Sequence, residues 1–224
     1  MAIYFLNINT PNNSIFVNDN IAKKISYLLH PIFLPAYLII ALRVLAPTPF
    51  FYNSFTPKSF FAIWGIVFLY TALFPGIMVL WLSKKKIISN LEIENRKERP
   101  KIYWLTSGFF LALAYFLYSK GGILTPTAYL ILIALINIIG LALISLWIKI
   151  SAHVSGISSI LGIFIALNPT YNDPKFLFTI IVLLILLGFV ASARLKLGSH
   201  NILQVSTGFI WGFTSGLIGT LLLF

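Results

Sequence analysis

No cysteine occurs anywhere in the 224 residues, which excludes disulfides, thiolate metal sites and cysteine nucleophiles. Charge is nearly as scarce. Only 9% of residues are Asp, Glu, Lys or Arg, where a soluble domain needs close to a quarter to solvate its surface. Acidic residues are the rarest of these, five against sixteen Lys and Arg, so no aspartate-rich magnesium site of the prenyltransferase kind can be assembled. Asp19 and Asp173 are the only aspartates, and the expected topology puts them on opposite sides of a membrane. No basic leader precedes an apolar run in the first 22 residues, so a cleaved signal peptide is not expected.

What is present is apolar and arranged in long runs. Hydrophobic residues make up 59% of the chain. A helix needs about 20 apolar residues to cross the hydrocarbon core. Seven segments meet this approximately: 25–46, 59–83, 102–118, 127–149, 153–169, 176–193 and 201–223. Turn residues separate them at Pro47 and Pro49, at Gly121, Gly122 and Pro126, at Asn168-Pro169 and at Asp173-Pro174. Pro31, Pro35 and Pro75 fall inside spans and are expected to kink them. The expected fold is therefore all-α: a polytopic membrane bundle of about six to seven helices. It is organised as an N-terminal polar segment, 1–24, and a single transmembrane domain, 25–224.

The formal charge of +11 would point to nucleic acid on a soluble protein. On a membrane protein it marks cytoplasmic loops and contacts with anionic lipid, so no nucleic-acid partner is expected. Seven spans put twelve of the sixteen cations on the N-terminal side and leave Arg43, Lys58, Lys120 and Lys175 on the other. By the positive-inside rule the N-terminal side is cytoplasmic, and a bacterial inner membrane is the expected location.

Three polar segments return to that same side, at 84–101, 149–153 and 194–204. The first contains Asn95-Arg96-Lys97-Glu98-Arg99-Pro100, whose arginines are three apart and would be neighbours in a helical turn. The second is Ser151-Ala152-His153, where Ser151 is placed to cap a helix and offer a hydroxyl. In the third, Arg194 closes one span, Gly198 turns the chain and His200 opens the next, with Gln204 four residues on to orient the imidazole. A helix start and planar guanidinium groups both favour a phosphate. Ionisable groups gathered at a membrane mark a functional site by default. His30, just before Pro31, reads first as a helix-end residue and otherwise as a third polar wall of the pocket. A zinc site of His30, His153 and His200 has no feature that fixes three helices in that geometry.

These residues resemble the type 2 phosphatidic acid phosphatase family of integral membrane lipid phosphate phosphatases, in a divergent bacterial form. The family motifs are Lys-x6-Arg-Pro, Pro-Ser-Gly-His and Ser-Arg-x5-His-x3-Asp. Arg99-Pro100 matches the end of the first, Ser151-Ala152-His153 the second with Ala for Gly and Ile150 for Pro, and Arg194 to His200 the third. The resemblance covers about residues 84 to 215. It implies a hydrolase without metal or cofactor, acting on a lipid phosphate or diphosphate through a phosphohistidine. His200 would be the nucleophile and His153 the acid. Arg99, Arg194, Ser151 and Ala152 would hold the phosphate oxygens, and Arg96 or Lys97 would stand in for the motif lysine. Three positions depart from the pattern: Glu92 stands at the motif lysine, Ala193 at the serine and Gln204 at the aspartate. Glu92, Glu94 and Glu98 are the acids within reach of supplying a carboxylate. A Gln cannot stabilise an imidazolium as a carboxylate does. A relative that binds or transports a phosphate-bearing lipid without turning it over is thus the second expectation. Lipid identity and oligomeric state have no signature in the sequence.

Overall fold

A computed structural model describes residues 18–45, 50, 52–171 and 173–224. Most of the expected polar segment, residues 1–17, and the breakers Pro47 and Pro49 lie outside the described residues. The fold is all-α, with nine α-helices and no strand among the described residues. They are α1 (Asp19–Leu28), α2 (Leu34–Leu45), α3 (Pro57–Phe68), α4 (Phe74–Lys84), α5 (Arg99–Lys120), α6 (Thr125–Ile144), α7 (Ala152–Tyr171), α8 (Pro174–Lys196) and α9 (Ile202–Leu223). Six helical segments are long and apolar enough to cross a membrane: Pro57–Lys84, Arg96–Lys120, Gly122–Ile144, Ala152–Tyr171, Pro174–Lys196 and Ile202–Leu223. Large apolar side chains such as Phe61, Trp81, Tyr115, Phe178 and Leu222 lie exposed on their outer faces. Water would not tolerate so much exposed apolar surface, and lipid does. The chain is an integral membrane helical bundle.

The first expected span, 25–46, is not one helix. α1 ends at Leu28, and residues 29–33 form turns before α2, which has only 12 residues. Pro31 lacks an N–H and its ring clashes with the preceding turn, so the helix stops although the apolar run continues. The boundary expected at 24/25 therefore falls inside α1. That helix packs on α8 through the small side chains of Ala22 and Ala193. Pro75 follows a π-helical turn at Leu69–Leu73 that joins α3 to α4 into one span, a usual accommodation of a proline in a membrane helix. Pro169 does not end its helix either; it sits in the last turn of α7.

α7 is the central helix. Two thirds of its span is buried, 67% against 28% for α8. Its largest neighbour is α9, and their contact is the most extensive in the bundle. Sequence makes this possible: Ser151, Ser155 and Ser159 recur every four residues and face Gly208, Gly212 and Gly216 at the same spacing. A Cβ built on Gly212 would lie 2.1 Å from the Ser155 carbonyl oxygen, and one on Gly216 only 2.0 Å from that of Ser159. Small residues at this spacing let two helix backbones touch in lipid, where apolar burial gives no drive to associate. Polar side chains pin the register. Ser155 Oγ donates to Asn137 Oδ1 at 2.7 Å, and Trp211 Nε1 donates to the Asn137 carbonyl at 3.0 Å, tying α6 to both helices. At the far end of the bundle, Tyr52 and Thr127 hydroxyls meet at 3.0 Å.

Candidate functional site

The loops after α4, α6 and α8 all lie at one end of the bundle, because each is reached after an even number of crossings from the others. α1 covers the same end: the Ser26 carbonyl lies 3.1 Å from His153 Nε2, and the His30 and His153 rings meet edge to face at 5.0 Å.

His200 lies immediately before Asn201, the N-cap of α9. Gly198 holds φ at +63°, the left-handed turn that brings the chain from α8 back into α9. Its Nδ1 is 3.0 Å from Gln204 Oε1 and 3.1 Å from the Lys149 carbonyl oxygen. Both partners are acceptors, so Nδ1 carries the proton and Nε2 keeps its lone pair. The same Gln204 oxygen accepts from the Asn201 N–H at 3.4 Å as part of a capping box, which fixes the orientation of the amide. The Gln204 carbonyl in turn accepts from the Ser151 N–H at 3.2 Å, joining the second and third segments. Burial first, and then the Arg99 guanidinium, push His200 from 6.5 down to about 4, so it is neutral at neutral pH.

His153 is the second residue of α7. Its Nε2–H donates to the Ser26 carbonyl, leaving Nδ1 as the lone-pair nitrogen. His30 occupies the turn after α1, where its Nδ1 accepts from the Ile32 N–H at 3.3 Å. It is also a wall of the site. Burial, and then Arg194, lower it to about 4.

Two arginines are buried here. Arg99, the first residue of α5, donates from Nε to the Ile93 carbonyl at 2.9 Å and from Nη1 to the Ile150 carbonyl at 2.8 Å. It therefore ties the first segment to the second. Arg194 is only 7% exposed, yet its Nε has no hydrogen-bond partner. Ser151 is fully buried and its Oγ is likewise unpartnered, so the expected side-chain cap on α7 is not made. Ser26 Oγ is a third orphan at this end. Buried polar atoms without partners cost roughly 1–3 kcal/mol each and call for an explanation. Of these, Ser26 and Arg194 line the cavity at this end of the bundle. Ala152, the half-buried first residue of α7, offers its backbone beside Ser151.

Arg96 and Lys97 are not brought to this cluster. Arg96 lies in a 3-10 turn and sends Nη1 to the Ser145 and Leu146 carbonyls, which end α6. Arg96 and Arg99 share the turn that leads into α5, and their side chains go to different carbonyls, those of Ser145 and Leu146 for Arg96 and those of Ile93 and Ile150 for Arg99. Lys97 is exposed. Glu98 structures its own loop, accepting from Ser89 N–H and Oγ at Oε2 and from Asn95 Nδ2 at Oε1.

A cavity of about 680 Å³ opens at this end, lined by Ser26, His30, His153, Arg194, Glu92 and Glu94 among others. His200 is not in its wall. Its neighbour Ser199 is, and so is Arg194, whose carbonyl accepts from the His200 N–H at 3.3 Å. Lys23 and Ser26 belong to no motif; they sit three residues apart on α1, just before the His30-Pro31 break. Comparison with protein-family models, with curated proteins and with solved structures finds no match for this chain.

Proposed function

We propose that the protein is a membrane-embedded phosphatase that removes phosphate from a lipid phosphate or diphosphate through a phosphohistidine on His200, without a metal. The observation that carries this reading is the His200 tautomer. Nδ1–H is held by two carbonyl oxygens, and Nε2 is left as an uncharged nucleophile. The orphaned Arg194 Nε and Ser151 Oγ supply donors for phosphate oxygens, and Arg99 adds a third positive or polar group nearby.

In the proposed reaction Nε2 of His200 attacks phosphorus and the P–O bond to the lipid breaks. Its electron pair goes to the leaving oxygen, which takes a proton relayed by His153: the lone-pair Nδ1 accepts it from the bound phosphate monoanion and passes it on, while Nε2–H stays held by Ser26. Water then attacks the phosphohistidine, passing a proton back to His153, and inorganic phosphate leaves. The twelve cations on the site side support a cytoplasmic orientation of this face, in a bacterial inner membrane, by the positive-inside rule.

A second reading has its own support. Gln204 is neutral and cannot stabilise an imidazolium, which suits a protein that binds or carries a phosphate-bearing lipid without hydrolysing it. Phosphate release from a panel of lipid phosphates in detergent, with EDTA present, separates the two. Release that persists in EDTA and is lost in His200→Ala is expected, together with an acid-labile phosphoprotein. No release from any lipid by folded protein would move the assignment to binding or transport.

A further inference from the structure

The cavity that holds Arg194, His153 and His30 also holds two carboxylates. Glu92 and Glu94 line it, with Lys23, Ser26 and Ser199. Glu92 stands where the resembled motif has lysine, so this end of the site carries a reversed charge. At about 680 Å³ the cavity is far larger than a phosphoryl group, which takes the room of about three waters, roughly 90 Å³. It therefore also has room for the atoms to which the phosphate is attached.

The lining carries both signs of charge. Arg194 is buried with Nε unpartnered and is the lining's donor for a phosphate. Once a phosphate occupies Arg194, the remaining ionised groups of the lining are Lys23 against Glu92 and Glu94, a balance of one negative charge. A second phosphate placed there would meet like charge beside low-dielectric walls, where repulsion is stronger than in water. A hydroxyl would instead find acceptors in the carboxylates. It would also find a partner in Ser26 Oγ, which is 6% exposed and makes no hydrogen bond.

Resting on the phosphatase reading above, we propose that Glu92 and Glu94 are specificity-determining residues that restrict the site to lipid monophosphates and reject lipid diphosphates. They act on the portion of the substrate beyond the reacting phosphate and take no part in the chemistry. Glu92 occupies the place of the resembled motif's lysine, where a cation would welcome the second phosphate that the carboxylate repels.

The test uses the full chain in detergent and two probes of equal tail, dodecyl phosphate and dodecyl diphosphate. Equilibrium binding is measured by ligand-dependent thermal shift, and phosphate release is measured in parallel. The expected result is binding about tenfold tighter for the monophosphate, falling to near parity in Glu92→Gln/Glu94→Gln, with monophosphate affinity itself changed by less than about threefold. Both glutamates are exposed, so the variants fold, and the two single variants each report part of the effect. Equal or tighter binding of the diphosphate by the parent overturns the proposal. So does a preference that survives the double substitution, or the absence of binding by either probe. The binding arm does not depend on turnover. A parent that prefers the monophosphate but releases no phosphate overturns the phosphatase reading alone.

Discussion

Gly212→Ala tests whether the site depends on the closeness of α7 and α9. The added Cβ would sit 2.1 Å from the Ser155 carbonyl oxygen, 2.3 Å from Ser158 Oγ and 2.7 Å from the Ser155 carbonyl carbon. Ordinary contact begins near 3.4 Å, so α9 must move off α7 by about 1.3 Å, the difference from 2.1 Å. Backbone atoms cannot step aside as a side chain can. Overpacking of this kind costs about 1–3 kcal/mol. Gly188→Ala is the control, because nothing lies within 4 Å of its added Cβ on the exposed face of α8. Both changes gain the same helix propensity, about 1 kcal/mol, so their difference isolates packing. A gap of roughly 4–8 °C in melting temperature is expected for a difference of about 2 kcal/mol. The displacement also lengthens the 3.2 Å bond from the Ser151 N–H to the Gln204 carbonyl, and so separates the serine from His200. A misplacement near 1 Å costs on the order of 100-fold in rate. Thermal unfolding followed by tryptophan fluorescence, with phosphate release on the same samples, reads both effects. If Gly212→Ala melts together with Gly188→Ala and keeps its activity, the close-packed seam is not what positions the site.

Restoring a carboxylate with Gln204→Asp is expected to raise the His200 pKa from about 4 by roughly one to three units, because a negative charge beside Nδ1 favours the imidazolium. The acid limb of the pH–rate profile then moves up by the same amount and the maximal rate rises; an unmoved limb would mean that His200 is not the titrating nucleophile. His30 and His200 both titrate at about 4 in the fold against 6.5 when free, so between those values the unfolded chain binds more protons. Melting temperature should therefore fall as pH drops from 6.5 towards 4, and His30→Gln/His200→Gln should flatten that slope; a slope unchanged by the double variant refutes the assignment. Arg96→Ala removes the donor to the Ser145 and Leu146 carbonyls and is expected to lower stability by about 1–2 kcal/mol while leaving phosphate affinity within twofold. Arg194→Gln is expected to do the reverse, weakening phosphate binding at least tenfold with little change in melting temperature, as measured by competition with inorganic phosphate.

The membrane-spanning character of the chain was legible in its sequence because hydrocarbon thickness sets the length of an apolar run, and little else produces such runs. The return of 84–101, 149–153 and 194–204 to one end follows from counting crossings, and the turn at Gly198 from the one residue that takes its positive φ without strain. His200 and Gln204 were readable as neighbours because four residues is one turn of helix. Other features were decided only by the tertiary structure. The run from Ile25 to Leu45 looks continuous in hydropathy, but Pro31 breaks it and leaves α1 free to fold over the site against Ala193. Arg96 and Arg99 are alike in sequence, yet the carbonyls at the end of α6, 49 and 50 residues away, draw one of them off. The four-residue spacing of serines and glycines was present in the text of the chain, but only their meeting shows that α7 and α9 share a seam. The cavity itself has no local signature. Ser26, His30, Glu92, Glu94, His153 and Arg194 come from four separate stretches, and only packing decides which long side chains face one another.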